Sequence, residues 1–178
     1  DRTGVGTLSL FGEQLKFNLD NQFPLLTTKK VFTKAIIHEL LFFIRGQTDS
    51  KKLEKENVNI WKWNTTRKFL DNRGLTEYEV GDLGPMYGFN WRHFNAEYKG
   101  CNEDYKGKGL DQLQNVINEI KNNPDSRRLL MTTFNPSVLE KSCLMPCHGI
   151  SVQFYVNVGY LSCMMNQRSV DYCCGLPY

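Results

Sequence analysis

GISVQFYVNVGYLSCMMNQ, residues 149–167, is the stretch that decides the fold. Ile150, Val152, Phe154 and Val156 recur at every second position, so an extended chain here has one apolar face. Val158-Gly159 supplies a tight turn, and residues 160–167 return as the hairpin partner. Just upstream, residues 128–134 read as a further strand. Before them, Leu110, Leu113, Val116, Ile117 and Ile120 fall at helical spacing over residues 110–121, and Asn122-Asn123-Pro124 stops that helix. Strands and helices alternate without a regular βαβ rhythm, which predicts an α+β fold.

Toward the N-terminus, residues 7–19 alternate apolar and polar side chains around Gly12, the pattern of two short strands or one bent strand. Phe23-Pro24 breaks it, and Thr27 and Thr28 are candidate helix caps. Residues 31–45 are too apolar for a surface helix, so a buried helix ending at Gly46 is expected. Residues 51–56 suit a short exposed helix. Residues 64–109 are polar and glycine-rich, and their aromatics predict ordered loops packed on the body.

The 178 residues suit one domain with a substantial core. Lys and Arg number 22 against 19 Asp and Glu, divided 13 to 11 over residues 1–89 and 9 to 8 over residues 90–178. Such balance excludes the basic stripe of a dedicated nucleic-acid binder but leaves arginines for a small anion. A 40% hydrophobic content rich in aromatics excludes intrinsic disorder. The longest apolar runs, 35–37 and 40–44, fall far short of the roughly 20 residues of a membrane span. Six cysteines, at 101, 143, 147, 163, 173 and 174, lack paired zinc-ligand spacing, and Cys143-x-x-x-Cys147 is not a zinc signal. With no visible signal peptide, reduced thiols in the cytoplasm are expected.

Four groups of residues carry candidate chemistry. Cys147, in Pro146-Cys147-His148, is either a nucleophile activated by nearby positive charge or a buried thiol beside an incidental His. Adjacent residues on an extended chain face opposite ways, so His148 is not automatically its base. Arg2, Arg127, Arg128 and Arg168, with the hydroxyls and amides of residues 2–7, either bind one phosphate or are unrelated surface arginines. Glu39, flanked by Ile37, Leu40 and Leu41, is either a buried proton relay with a raised pKa or a salt-bridge partner on the helix face. Trp61 and Tyr87 either form a platform for planar ligands or belong to a satellite cluster under a loop.

In order along nearly the whole chain, these residues resemble the thymidylate synthases. The resemblance is carried by Arg2-Thr3-Gly4, Phe23-Pro24-Leu25-Leu26-Thr27-Thr28-Lys29-Lys30, His38-Glu39-Leu40-Leu41 and Gly81-Asp82-Leu83-Gly84-Pro85-Met86-Tyr87-Gly88 with Trp91-Arg92. It continues through Asp125-Ser126-Arg127-Arg128, Phe134-Asn135, Pro146-Cys147-His148, Gln153-Phe154 and Gln167-Arg168-Ser169-x-Asp171. Residues 64–109 look like the insertions of eukaryotic members. Cys174 stands where the family generally has Leu, Asn166 where it has Tyr and Tyr178 where it has Phe.

The resemblance implies a mixed β-sheet packed by helices, and a homodimer joined sheet to sheet. It implies reductive methylation of dUMP to dTMP with 5,10-methylenetetrahydrofolate as cosubstrate, dihydrofolate as by-product and no metal. Cys147 would add to C6 of the pyrimidine, helped by Arg168, with Glu39 and Tyr87 assisting proton transfers. The nucleotide would be held by Arg2, Gln167, Arg168, Ser169 and Asp171, and by Arg127 and Arg128 reaching from the other subunit. Folate would meet Lys29, Phe32, Ile60, Trp61, Asn64, Asp171 and Gly175. Residues 1–178 would be the N-terminal two-thirds of one catalytic domain, a layout compatible with fusion to an upstream dihydrofolate reductase. The family continues after the position of Tyr178 with an Asn that selects uracil over cytosine. Two alternatives use the same residues. One is a dCMP or dUMP hydroxymethylase of the same fold, and the other a non-catalytic RNA-binding or regulatory relative.

Overall fold

The computed structural model describes residues 4–177. Helix α1 spans Thr33–Ile44, α2 Lys51–Glu54, α3 Arg67–Asn72, α4 Gly88–Arg92 and α5 Gln112–Asn122. Strands β1 (Leu130–Met131), β2 (Ser151–Asn157) and β3 (Tyr160–Asn166) follow, with 3-10 turns at Trp63–Thr65 and Pro136–Lys141.

The 149–167 stretch forms the hairpin its alternation predicts. β2 and β3 pair antiparallel from Ser151↔Asn166 to Asn157↔Tyr160, and β1 adds to β2 through Leu130↔Gln153. Val158 and Gly159 both take positive φ, 49° and 78°, which matches the turn twist to the strands. Val152 is buried on the inner face, whereas every residue of β3 is exposed. Among the described residues the sheet is three-stranded and wholly antiparallel, not mixed. The strand expected over 128–134 shortens to Leu130–Met131.

α1 ends as its sequence predicts. Gly46 takes φ 68°, its N–H donates to Phe43 O, and the Gln47 N–H donates to Phe42 O. That pair of bonds closes the last helical turn, and it needs a left-handed residue after the helix. At the other end Phe32, not Thr27 or Thr28, holds the cap position, without a side-chain cap. The helix is also buried on one side only. Ala35, Phe42 and Phe43 are 1–3% exposed, while Ile37, Leu40 and Leu41 are 55%, 48% and 39% exposed. Ala35, Glu39, Phe42 and Phe43 share a face at the i, i+4, i+7, i+8 spacing, and α1 packs against α4.

α1 and α4 meet backbone to backbone. A Cβ at Gly88 would lie 2.3 Å from Phe43 O and 2.5 Å from Phe43 Cα, so only glycine fits. Arg92, at the end of α4, donates to Ile44 O and pairs with Asp111, whose other oxygen caps α5 at Gln114 N. α5 therefore begins two residues later than its apolar spacing suggests, with Asp111 as its cap, and Leu110 instead bridges Phe94. Gln112 donates to Asn90 O and Thr132 O and accepts from Thr132 N–H, joining α4, α5 and the end of β1.

One core gathers Phe42, Phe43, Leu53, Val58, Trp61, Leu70, Leu83, Met86, Tyr87, Trp91, Val116, Met131, Cys143 and Val152. Residues 81–91 are buried without exception, so the glycine-rich loops do pack on the body. By contrast, residues 7–19 form no strand. Leu8, Leu10, Leu15, Phe17 and Leu19 are 50–105% exposed, because no described strand pairs with them. All six cysteines are unpaired thiols. No helix among the described residues is long and apolar enough to cross a membrane.

Candidate active site

Cys147 lies half-buried in the loop between the Pro136–Lys141 turn and β2. Two elements hold it. From the cap of α4, Tyr87 Oη accepts the Cys147 N–H at 3.1 Å and stands 3.6 Å from Cys147 Sγ. From the segment after β3, the Arg168 N–H donates to Cys147 O (2.9 Å), Arg168 Nε to Pro146 O (2.8 Å) and Arg168 Nη2 to Met145 O (3.4 Å). The thiol thus sits between a tyrosine hydroxyl and a loop wrapped by a guanidinium.

Tyr87 is fixed from several directions. Its backbone has φ 41° and ψ −108°, unusual for a non-glycine residue. Its ring stacks on Phe43 (4.7 Å, 18°) and His148 (4.6 Å, 21°) and meets Trp61 edge-on (5.9 Å). At 3% exposure it belongs to the main core, so it presents its hydroxyl to the site and not an open ring face. Burial pushes its pKa well up, and it stays protonated. Burial also lowers the pKa of His148, which favours the neutral imidazole.

Glu39 lies on the core side of α1, where its Oε1 accepts the Trp61 Nε1–H at 2.7 Å. Burial raises its pKa, and the Trp61 bond offsets part of that rise. Glu39, Trp61, Tyr87, Cys147 and Arg168, drawn from five segments, form one connected group. Trp61 is 8% exposed within it.

Arg168 is exposed at the edge of this group, and most of the other expected site residues are exposed too. Arg127 and Arg128 are exposed on the turn before β1. Gln167 and Ser169 are exposed after β3, and Gln167 Nε2 donates to Ser169 O. Asp171 Oδ1 accepts the N–H groups of Cys173 and Cys174, which holds its carboxyl below the usual range, and Gly175 N–H donates to Asp171 O. Lys29 Nζ donates to Cys173 O. Phe32 and Ile60 are 48% and 44% exposed, and Asn64 is half-buried. Arg2 and Tyr178 lie outside the described residues. No group of three or more His, Cys, Asp or Glu able to hold a metal occurs among the described residues.

Two packing partners escaped the sequence reading, Phe43 and His148, both stacked on Tyr87. Phe43 lies one helical turn beyond Glu39, a phase that could have marked it. Nothing local distinguishes the stacking of His148.

The thymidylate synthase family model matches residues 1–178. The chain belongs to the thymidylate synthase family. It is 54% identical over its full length to a putative bifunctional dihydrofolate reductase-thymidylate synthase of Oryza sativa subsp. japonica, covering 36% of that protein. It is 56% identical to bifunctional dihydrofolate reductase-thymidylate synthase 1 of Arabidopsis thaliana and 57% to the Plasmodium chabaudi bifunctional protein, again over its full length, covering 34% and 30% of them. The chain thus spans about a third of the length of these curated relatives.

Proposed function

We propose that this thymidylate synthase family chain supplies the nucleophile and phosphate-binding groups of a site that converts dUMP to dTMP, with 5,10-methylenetetrahydrofolate as cosubstrate. The observation that carries the proposal is the tethering of Cys147 between the Tyr87 hydroxyl and Arg168.

C5 of a pyrimidine is a poor nucleophile until a group adds at C6. Cys147 Sγ forms a bond to C6, and the C5=C6 electron pair moves toward the C4 carbonyl as an enolate. C5 then forms its new carbon bond, loses its proton, and expulsion of Sγ restores the ring. When bound, methylenetetrahydrofolate supplies the one-carbon unit and the reducing hydride. Arg168 holds the loop that carries Cys147 and takes a share of the nucleotide phosphate. Tyr87, kept protonated by burial, belongs to the hydrogen-bond network that assists loss of the C5 proton. Glu39, whose pKa burial raises, works through water on the O4/C5 side.

Arg2, Gln167, Arg168, Ser169 and Asp171 hold the nucleotide, and Arg127 and Arg128 serve the phosphate of a second subunit. A sheet-to-sheet homodimer draws support from the hairpin, where Tyr155, Tyr160, Leu161, Met164 and Met165 are 52–67% exposed. The donor set also suits folate. Phe32 and Ile60 offer open apolar surface, Ile60 beside Trp61 and close to Asn64 in the chain, Asp171 and Gly175 line the turn after β3, and exposed Lys29 matches a glutamate tail. Residues 1–178 are read as part of one catalytic domain, with thiols suited to the reducing cytoplasm.

The full-length protein mixed with 5-fluoro-dUMP and methylenetetrahydrofolate is expected to form a covalent ternary adduct at Cys147, seen by intact mass spectrometry. Cys147→Ala should form none and turn over no dUMP. Absence of both the adduct and dUMP-dependent dihydrofolate formation in the unmodified protein would refute the proposal. Turnover of dCMP or release of a hydroxymethyl product would redirect it to a hydroxymethylase.

A further inference from the structure

Residues 94–110 form a closed loop whose ends are joined by reciprocal Phe94–Leu110 backbone bonds. Within it Tyr98 and Tyr105 stack at 5.7 Å and 7°, and Phe89 of α4 meets both edge-on, at 5.0 and 4.8 Å. These rings, with Ala96, make a small second core. The Tyr105 hydroxyl stays within the loop, accepting from Lys99 N–H and donating to Gly100 O.

The Tyr98 hydroxyl leaves the loop. It donates to Asp82 Oδ1 at 2.5 Å and lies 2.9 Å from Thr48 Oγ1. Asp82 is 1% exposed and also accepts the N–H groups of Gly84 (2.8 Å) and Cys101 (3.0 Å). Tyr98 therefore grips both ends of the segment from Asp82 to Phe89, by its hydroxyl at one end and its ring at the other. Tyr87 lies inside that segment, in a strained backbone conformation. Such a conformation persists only where its surroundings over-determine it.

We infer that Tyr98 is a positioning residue for the proposed reaction, acting through Asp82 and Phe89 to hold the Tyr87 hydroxyl at Cys147. The inference rests on the proposed function, because it assigns Tyr98 a role in the step that Tyr87 assists. Thiol addition at C6 depends on Cys147 and Arg168. Loss of the C5 proton depends on Tyr87. Misplacing the Tyr87 hydroxyl should slow the second far more than the first.

The test uses Tyr98→Phe in the full-length protein, which keeps the ring on Phe89 and removes the bond to Asp82. Tritium release from [5-³H]dUMP reports loss of the C5 proton, and 5-fluoro-dUMP adduct formation reports thiol addition without that loss. Tritium release should fall by about 10-fold to 100-fold, the cost of a small misplacement, while the adduct rate stays within about 3-fold. Tyr105→Phe, which removes a hydroxyl serving only the loop, should leave both rates unchanged. In a double-mutant cycle, Tyr98→Phe should add little to the defect of Tyr87→Phe.

Unchanged tritium release in Tyr98→Phe, an equal defect in Tyr105→Phe, or multiplied effects with Tyr87→Phe would overturn the inference. If Tyr98→Phe fails to fold, Asp82→Asn is read by the same two rates. Misfolding of both would reduce the contact to stability and overturn the positioning role. Absence of adduct and tritium release in the unmodified protein would strike the proposed function itself, an outcome distinct from all of these.

Discussion

Two segments without regular strands, residues 7–19 and residues 81–91, have opposite fates. The first alternates apolar residues like a strand, yet Leu8 and Phe11 stand fully exposed at 105% and 104%. The second sets three glycines, Asp82 and Asn90 among larger apolar side chains, and all of it is buried. The difference lies in backbone and side-chain hydrogen bonds. Leu83 N–H donates to Thr48 O, and Leu83 O accepts from Cys143 N–H. Asn90 Nδ2, within a 2% exposed side chain, donates to Pro85 O and Thr133 O. A chain segment enters the core when backbone groups such as those of Leu83 find partners there, even though Asn90 Oδ1 and Trp91 Nε1 lack one, and apolar residues alone do not achieve it.

The sharpest way to break this contrast is Gly88→Ala. The added Cβ would collide with Phe43 O, which belongs to backbone and cannot swing aside. The substitution should cost about 3 kcal/mol or more, as overpacking at a rigid contact does. It should also displace Tyr87, so activity falls even where folding is retained. Chemical denaturation and turnover of the same sample check both effects. A loss below about 0.5 kcal/mol, the range of ordinary surface changes, would mean that the close crossing of α1 and α4 does not hold the loop.

Glu39→Gln sharpens the contrast from the polar side. Burial raises the Glu39 pKa above its ordinary 4.5, so in the window just above that value the folded protein keeps a proton the unfolded chain has lost. Stability therefore falls as pH rises through that window, and below it the group is neutral in both states. Glu39→Gln removes this dependence while still accepting from Trp61. Its stability at neutral pH should equal or exceed that of the unmodified protein, and its turnover should drop. Denaturation midpoints measured across the window check the first outcome. An unchanged pH slope would show that Glu39 is not the group responsible.

How much of this was legible in the sequence depended on how local the cause was. The β2–β3 hairpin and its Val158-Gly159 turn follow from period-two alternation and turn chemistry. The end of α1 follows from Gly46. The one-sidedness of α1 was hidden, because Ile37, Leu40 and Leu41 carry the same apolar character as Phe42 and Phe43, and only packing decides between them. Cys147, Arg168, Glu39 and Tyr87 stood out by their residue chemistry with alternatives open, and the ordered resemblance gave them roles, since no single motif among them is decisive. Their contacts were not legible, because they join segments up to 60 residues apart in the chain, as between Tyr87 and Cys147. The Asp82–Tyr98 bond belongs to the same class, a long-range pair with no periodic trace.

The smallest effect is expected in the arm. Leu8→Ser should change the stability of the 178-residue chain by less than about 0.5 kcal/mol, since an exposed side chain loses little on truncation. Amides of residues 8–19 should exchange rapidly, while those of Leu83, Phe89 and Trp91, bonded to Thr48, Met86 and Tyr87 carbonyls, should be protected. The alternation nevertheless has a definite meaning: one strand's worth of side chains with no described ladder to join. If a longer form of the protein or a second subunit brings such a ladder, protection should appear along residues 8–19, and Leu8→Ser should become costly. Protection there would place the arm with residues 81–91, as a segment that becomes buried once its backbone is paired. Rapid exchange under every condition would instead make the arm's apolar pattern a matter of composition without pairing.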